Sequence, residues 1–458
     1  MRAPHAYALA WLVCAAPWGW CQTPAESSDP LVVGTEHPRL FLRPARLRLL
    51  RRERERQSLR WQQFSRLLAG GAQFPEPGFA LALGYAVAGD REAGLKATAF
   101  ALTSTDLRQM ALVYDWCEGA MSGADRTRLA ARIARRMAET AADQSVAAVR
   151  SRLLGAVTLF DDVPELPGRE FERDVRGWWR TKVAEPLSAG KVPFQREDAY
   201  PLLELLHAVQ DNLNLDLRES NVDYFKDFPV EHLMSYYPAP YRGAENEFYI
   251  GAATTRAASP DLEAAALSRA ADLAMVAYDT NAPQTQVLQG WLMHDRFLLR
   301  GAFGAPYEFL WADPYQPGLS YYHVPTVYYN PDYGRLFARS SWDDDAAWFG
   351  LFDGGAQLFA DGHVTMVDPR VEAPPLALDD ATVCFGRAVR DFELTLEDRQ
   401  TVFVVGLEPR RSYDVEVDDE QMYQADSDRA GIVELDDVPA GKPVEVHLRE
   451  RTVKKASR

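Results

Sequence analysis

The chain has 458 residues, 47% of them hydrophobic and 25% charged, and its 66 acidic against 50 basic side chains leave a formal net charge of −16. This is the composition of a globular protein with room for two or more domains, which excludes a disordered or fibrous chain. A field of this sign repels nucleic acid and anionic membrane surfaces, so neither is expected as a partner, and four cysteines are too few for a disulfide framework.

Met1, Arg2 and His5 head an apolar run over residues 6–16, the length of a signal-peptide core and too short to span a bilayer. Gly19-Trp20-Cys21-Gln22 then offers cleavage after Cys21, so residues 1–21 read as a leader and the mature chain as secreted or periplasmic. Acylation of Cys21 is the rival use of the same residue. Of the remaining cysteines, Cys117 and Cys384 lie in apolar surroundings and are expected to be inert buried thiols.

From residue 38 to 322 apolar residues recur at spacings of three and four between Gly, Pro and Asp clusters, which predicts helices. After the first helices, around Leu47 to Leu68, come segments at 77–87, 96–102 and 106–117. Ser122 then opens another, with Asp125 three residues on as a capping acid. The series continues at 126–142, 145–160, 170–184, 198–209, 261–278 and 284–299. The arginines between 46 and 60 alternate with Glu53 and Glu55 and read as an ion-paired, solvated face. Near Asn330 the pattern changes to short Val- and Phe-rich runs bounded by turn residues, at 334–339, 346–352, 364–367, 392–396, 401–405, 413–417, 432–435 and 444–448. The expected fold is α+β and multidomain: an N-terminal (α/α) toroid over 22–329, followed by a C-terminal antiparallel β-sandwich over 330–458.

No nucleophile elbow, zinc-binding His-Glu-x-x-His, Walker loop or dinucleotide fingerprint is present, and no metal or cofactor is expected. Asp426, Asp428 and Gly431 fit an exposed hairpin turn better than a calcium loop, because Ala430 takes a ligand position. More telling are polar and aromatic clusters at predicted helix ends. Arg196 and Glu197 precede Tyr200 at a helix N-terminus, where an anion could be held. Glu231 and His232 stand beside Tyr236 and Tyr237, Trp291 beside His294 and Arg296, and Tyr322 beside His323. Flat rings next to His, Arg and carboxylates suit a sugar groove, since ring faces pack on C–H faces while polar groups take hydroxyls.

His37-Pro38-Arg39-Leu40-Phe41, Ala111-Leu112-Val113-Tyr114-Asp115-Trp116 and Arg339-Ser340-Ser341-Trp342 with Trp348-Phe349-Gly350 resemble segments of heparinase II/III-like and alginate-lyase-like polysaccharide lyases. The resemblance implies a polysaccharide partner and β-elimination: a group quiets the uronate carboxylate, a base removes the adjacent proton, and an acid protonates the leaving oxygen. By that resemblance Tyr200 is the expected acid or base, Arg150 the carboxylate neutraliser and His363 a candidate base. The family's Asn- or His-bearing segment is here Ser145 to Arg152 and contains neither residue, so Arg150 and Arg152 are the available substitutes. A glycan-binding relative without turnover, or a glycoside hydrolase using two carboxylates among Glu197, Asp198, Glu231 and Asp295, are the rival readings.

Overall fold

The structure, a computed structural model, describes residues 33–34, 36–244, 246–253, 260–295, 299–320, 323–386, 391–419, 421–435 and 438–451, without the side chains of 294 and 295. The leader and Cys21 lie outside these residues, as do Arg296 and Tyr322. A helix-rich N-terminal region is followed by a C-terminal region of many strands. No helix among the described residues is long and apolar enough to cross a membrane.

The helices are α1 (Pro44–Glu55), α2 (Leu59–Ala69), α3 (Pro77–Ala88), α4 (Arg91–Ala101), α5 (Leu107–Trp116), α6 (Gly123–Glu139) and α7 (Val146–Thr158). Then come α8 (Leu166–Glu170), running through π-helical turns into α9 (Glu185–Ser188), and α10 (Ala199–Leu213), α11 (Val222–Met234), α12 (Leu262–Tyr278), α13 (Pro283–Asp295) and α14 (Gly304–Trp311). Local chemistry starts many of them: the side chains of Ser58, Asp90, Asp106, Ser122, Ser145 and Asp261 each accept a first-turn backbone N–H that the helix itself leaves unpaired. The arginines of α1 do more than meet solvent. Arg51 and Arg54 donate to the carbonyls of Ala86, Val87 and Ala88 at the end of α3, and Glu53 is buried against Arg60 at 2.6 Å.

Packing runs in a circuit. α3 lies on α5, α5 on α7, α7 on α10, α10 on α12 and α12 on α14, which returns to α2 and α3. Two of the segments quoted for the family resemblance lock together beside this circuit. Asp115 accepts from the backbone of Arg39 and Leu40 and from His37 Nδ1 at 2.6 Å, and Trp116 Nε1 donates to the Leu40 carbonyl at 2.9 Å.

A two-stranded hairpin, β1 (Tyr241–Arg242) with β2 (Glu247–Phe248), follows α11. Among the described residues the C-terminal strands form three sheets. In the first, β3 (Val327–Asn330), β4 (Arg335–Arg339), β5 (Trp348–Phe352), β6 (Gly355–Ala360) and β7 (His363–Val367) are antiparallel neighbours in chain order. The second contains β8 (Leu376–Ala377), β9 (Ala381–Phe385), β11 (Thr401–Val405) and β14 (Val433–Leu435). The third contains β10 (Asp391–Thr395), β12 (Ser412–Val417), β13 (Gln421–Asp426) and β15 (Pro443–Glu450). The expected all-antiparallel arrangement is corrected in one place: β9 and β11 pair in parallel. Both are covered on two faces, by Leu336, Phe349 and Leu351 on one side and Val415, Val444 and Val446 on the other, which is why they read as unbroken apolar runs.

The outer face of the first sheet packs on the helical region through Phe337, Trp348, Phe352 and Phe359 against Met234. Trp348 is fully buried there and its Nε1 donates to the Met234 carbonyl at 2.8 Å. Trp348→Ala removes both the ring and that bond and is expected to cost about 3–5 kcal/mol, measured as a lowered urea midpoint; a loss below ~1 kcal/mol would contradict the packing role.

Candidate functional site

Two polar constellations stand out, one inside the helical circuit and one between the helices and the first sheet. The inner one gathers Arg108 from α5, Arg150 from α7, Tyr200 and Glu204 from α10, and Tyr307 and Trp311 from α14. Arg108 grips Glu204 through Nε at 2.9 Å and Nη2 at 2.7 Å, Arg150 pairs with the other side of the same carboxylate, and the Tyr200 hydroxyl donates to Glu204 Oε1 at 2.8 Å. Trp311 Nε1 donates to the Tyr200 oxygen at 2.9 Å, and Glu76 takes Arg108 Nη1 at 2.9 Å and the Tyr307 hydroxyl. Burial alone would raise the Glu204 carboxyl, but Arg108 and Arg150 outweigh it and hold the group below the ordinary range. Burial and the neighbouring Glu204 charge push Tyr200 well above its usual value.

Tyr200 and Arg150 do meet, as the sequence reading expects, but on Glu204 inside the fold. Tyr200 is 2% exposed, and its hydroxyl is engaged on both sides by protein groups. Arg152 is likewise buried, its Nη1 donating to the carbonyls of Thr140 and Asp143 and its Nε 3.5 Å from Glu170. His363 stands apart, exposed at the start of edge strand β7 and absent from the walls of the pockets described below.

The second constellation lines a pocket of about 100 Å³ between the start of α10, the end of α11 and strands β4 and β5. Arg196, Glu197, Glu231 and His232 come from the helical side, and Arg335 and Asp353 from the sheet side. His232 Nδ1 is bonded to Asp272 Oδ1 at 2.6 Å, while its Nε2 is buried with no hydrogen-bond partner. Burial and then Arg196 hold its pKa below the usual 6.5, so the ring is neutral at pH 7, with Nδ1–H donating to Asp272 and the lone pair on Nε2.

Arg196 lies across the Tyr236 ring at 3.9 Å and donates to Ser268 Oγ at 2.8 Å, Ser235 Oγ at 2.5 Å and the His232 carbonyl at 3.1 Å. It has no carboxylate partner among the described residues, and its Nη2 is buried and unpartnered. A side chain at Gly251 would collide with the Arg196 guanidinium, so this close approach requires glycine. A third unpartnered polar atom, the hydroxyl of Tyr224, belongs to the same pocket wall. Glu231 is held by Arg335, which also takes Asp353 Oδ1 at 2.9 Å, and Asp198 is used in a capping box with Gln195.

The other expected groove residues divide. Tyr236 donates to Asp272 Oδ2 at 2.8 Å and stacks on Trp291, so both rings brace the His232 side of the pocket. Tyr237 faces the other way: it stacks on Phe359 and donates to Gln357 at 2.7 Å, packing the sheet against the helices. His323 is exposed and outside this pocket. The side chains of His294 and Asp295, with Arg296 and Tyr322, lie outside the described residues. Asp272, Tyr224, Arg335 and Asp353 were not anticipated. Asp272 and Ser268 carried a signal, two polar residues four apart in an otherwise Ala- and Leu-rich helix. Among the described residues, no group of three or more His, Cys, Asp or Glu side chains could hold a metal ion.

No family model matches the chain, and no curated protein does. Among solved structures, the chain is similar to one titled "Glycoside hydrolase", at 11% identity and a TM-score of 0.30, over 82% of this chain and 71% of that one.

Away from this pocket, α8 and the π-helical turn after it bring Glu170 and Asp174 together under Arg152. Burial and then the Asp174 carboxylate raise Glu170 to about 7. A carboxyl raised in the fold favours the native state fully below its unfolded value of 4.5, and that contribution is lost as pH rises through about 7. Glu170→Gln is therefore expected to flatten the decline in stability between pH 5 and 8, followed by thermal unfolding at each pH; an unchanged slope would refute it.

Proposed function

We propose that the chain is an (α/α) toroid with a stacked-sheet domain that handles an acidic glycan, and that the reacting unit sits in the pocket between the two. The observation that carries this is the pairing of His232 Nε2 with Arg196 Nη2, two buried and unpartnered groups lining one pocket, one a proton acceptor and one a cation without a counter-anion. A buried cation gains most from a carboxylate that completes its fork, and the α10 N-terminus adds positive potential at the same place.

The chemistry these groups support is β-elimination from a uronate. Arg196 withdraws charge from the carboxylate, His232 Nε2 takes the proton from the adjacent carbon, and that electron pair becomes the C=C bond as the C–O bond to the leaving group breaks. The leaving oxygen takes a proton from the Tyr224 hydroxyl, which burial keeps un-ionised. Tyr200 is assigned to the scaffold in this reading. Hydrolysis is less well supported among the described residues, because Glu231 and Asp353 share Arg335 and Asp198 serves the capping box, which leaves Glu197 as the one pocket carboxylate without a partner rather than a pair. A glycan binder without turnover is the second reading, favoured by the engagement of Tyr200 and Arg150 on Glu204.

A panel of uronate and neutral polysaccharides, read in parallel by ultraviolet absorbance and by new reducing ends, tests it. Both signals rising on a uronate polymer support elimination. Reducing ends alone point to hydrolysis, and retention without product points to a binder. Tyr200→Phe is expected to keep turnover within about threefold while costing roughly 1–3 kcal/mol of stability, since Trp311 Nε1 loses its acceptor. Abolished turnover with a stable fold would return Tyr200 to the reaction.

A further inference from the structure

A second pocket, of about 630 Å³, opens on the same seam and shares only Tyr224 with the chemistry above. Its walls come from the end of α9, the turn leading into α11, the turn between β3 and β4, and two arginines of the outer sheets. Tyr224 belongs to the walls of both pockets; it is 2% exposed and its hydroxyl has no partner.

The lining is strongly polar and differs from its neighbour in how its charges are paired. Asp223, Asp227 and Asp332 stand with Arg410 and Arg429, the same balance of three carboxylates to two guanidinium groups as in the first pocket, but there Arg335 holds two of the carboxylates, Glu231 and Asp353. Arg429 is already spent on the carbonyls of Ala189, Gly190 and Asp332. The carboxylates of Asp223 and Asp227 and the guanidinium of Arg410 have no hydrogen bond or ion pair among the described residues. Tyr333 stands edge-on to Tyr224 at 5.1 Å, placing aromatic surface beside these groups.

We propose that this pocket is a subsite for an uncharged sugar unit. Free carboxylate oxygens accept from hydroxyls, Arg410 donates to them, and an aromatic ring can cover a C–H face. A uronate or sulfated unit would meet repulsion from the aspartates instead. The assignment of the neighbouring pocket to an acidic unit rests on the proposed function; the assignment of this one stands on its own residues. Together they select a chain in which charged and uncharged units adjoin.

Saturation-transfer NMR tests this, with methyl glycosides of neutral hexoses as one probe and methyl glucuronoside as another. The Asp223→Ala/Asp332→Ala double variant alters two exposed side chains, and Tyr333→Ala provides a second, independent change. Binding of the neutral glycoside is expected to weaken about tenfold in each and to be unchanged in Arg196→Met, the loss corresponding to one or two hydrogen bonds or a ring contact. Neutral glycosides that fail to bind the native protein, or that bind both variants undiminished, would overturn the subsite, as would their displacement by glucuronoside. Glucuronoside binding that ignores Arg196→Met, with the neutral results as expected, would sink the proposed function and leave this subsite standing.

Discussion

Glu204→Ala is expected to destabilise the fold by about 3–5 kcal/mol, among the largest effects of any single substitution in the helical region. The reason is electrostatic. Glu204 is fully buried and is the shared anion of Arg108 and Arg150, so removing it leaves two guanidinium groups inside the helical circuit, with Glu76 as the remaining carboxylate on Arg108. Tyr200 loses its acceptor in the same step. Glu204→Gln should be milder, because the amide keeps an acceptor for Tyr200 and for one arginine. Urea unfolding of the native protein and both variants checks the order, and equal stability of Glu204→Ala and native would contradict the network. The pH dependence has a definite sign. The folded pKa of Glu204 lies below its unfolded value of 4.5, so its contribution is complete above 4.5 and is lost as pH falls through the folded value. Gln at this position does not titrate, so the stability of Glu204→Gln should vary less with pH below 4.5 than that of the native protein.

The parts of the fold legible in the sequence were those with a clean period and a cap. Ser122 and Ser145 open α6 and α7 where the pattern places them, and the run at residues 401–405 is β11. Helix α11 escaped because Pro229 sits in its interior, where proline normally ends a helix, and α14 because Gly304 and Pro306 precede a stretch that is apolar on all sides. Strand β13 alternates exposed and half-exposed residues at a sheet edge and so carries no apolar signature. β3 begins at Val327, ahead of the change of pattern near Asn330.

The candidate site was legible in part for a related reason. Arg196, Glu197 and His232 announce themselves as polar residues at helix ends, but what fixes the His232 ring with its Nε2 unpartnered is Asp272, forty residues away on another helix. Pairings at that separation leave no local pattern. Tyr200 shows the converse: a tyrosine after an acidic residue at a helix start looks catalytic, and its burial with its hydroxyl between Glu204 and Trp311 is visible only once α10 and α14 are packed together.

On the proposed function, His232→Ala is expected to lower turnover of a uronate polymer by roughly 10²–10⁴-fold, the usual worth of a positioned general base, while affinity for glucuronate, which that reading assigns to Arg196, changes little. The pH profile carries the mechanism. His232 has its pKa held below 6.5 by burial and Arg196, so kcat/KM of the native protein should be level above pH 6.5 and fall only on the acid side. The same shift makes stability fall as pH drops below 6.5, because the unfolded chain then binds a proton that the folded ring refuses. In the proposed reaction Asp272 positions the His232 ring, and Asp272→Asn separates that role from simple packing. An amide N–H facing Nδ1 favours the tautomer with hydrogen on Nε2, which removes the lone pair from the pocket without removing the ring. Turnover should then fall nearly as far as in His232→Ala, with a folded protein and glucuronate binding retained. Full activity in Asp272→Asn, or an activity in His232→Ala that keeps the native acid limb, would assign the proton transfer to another group.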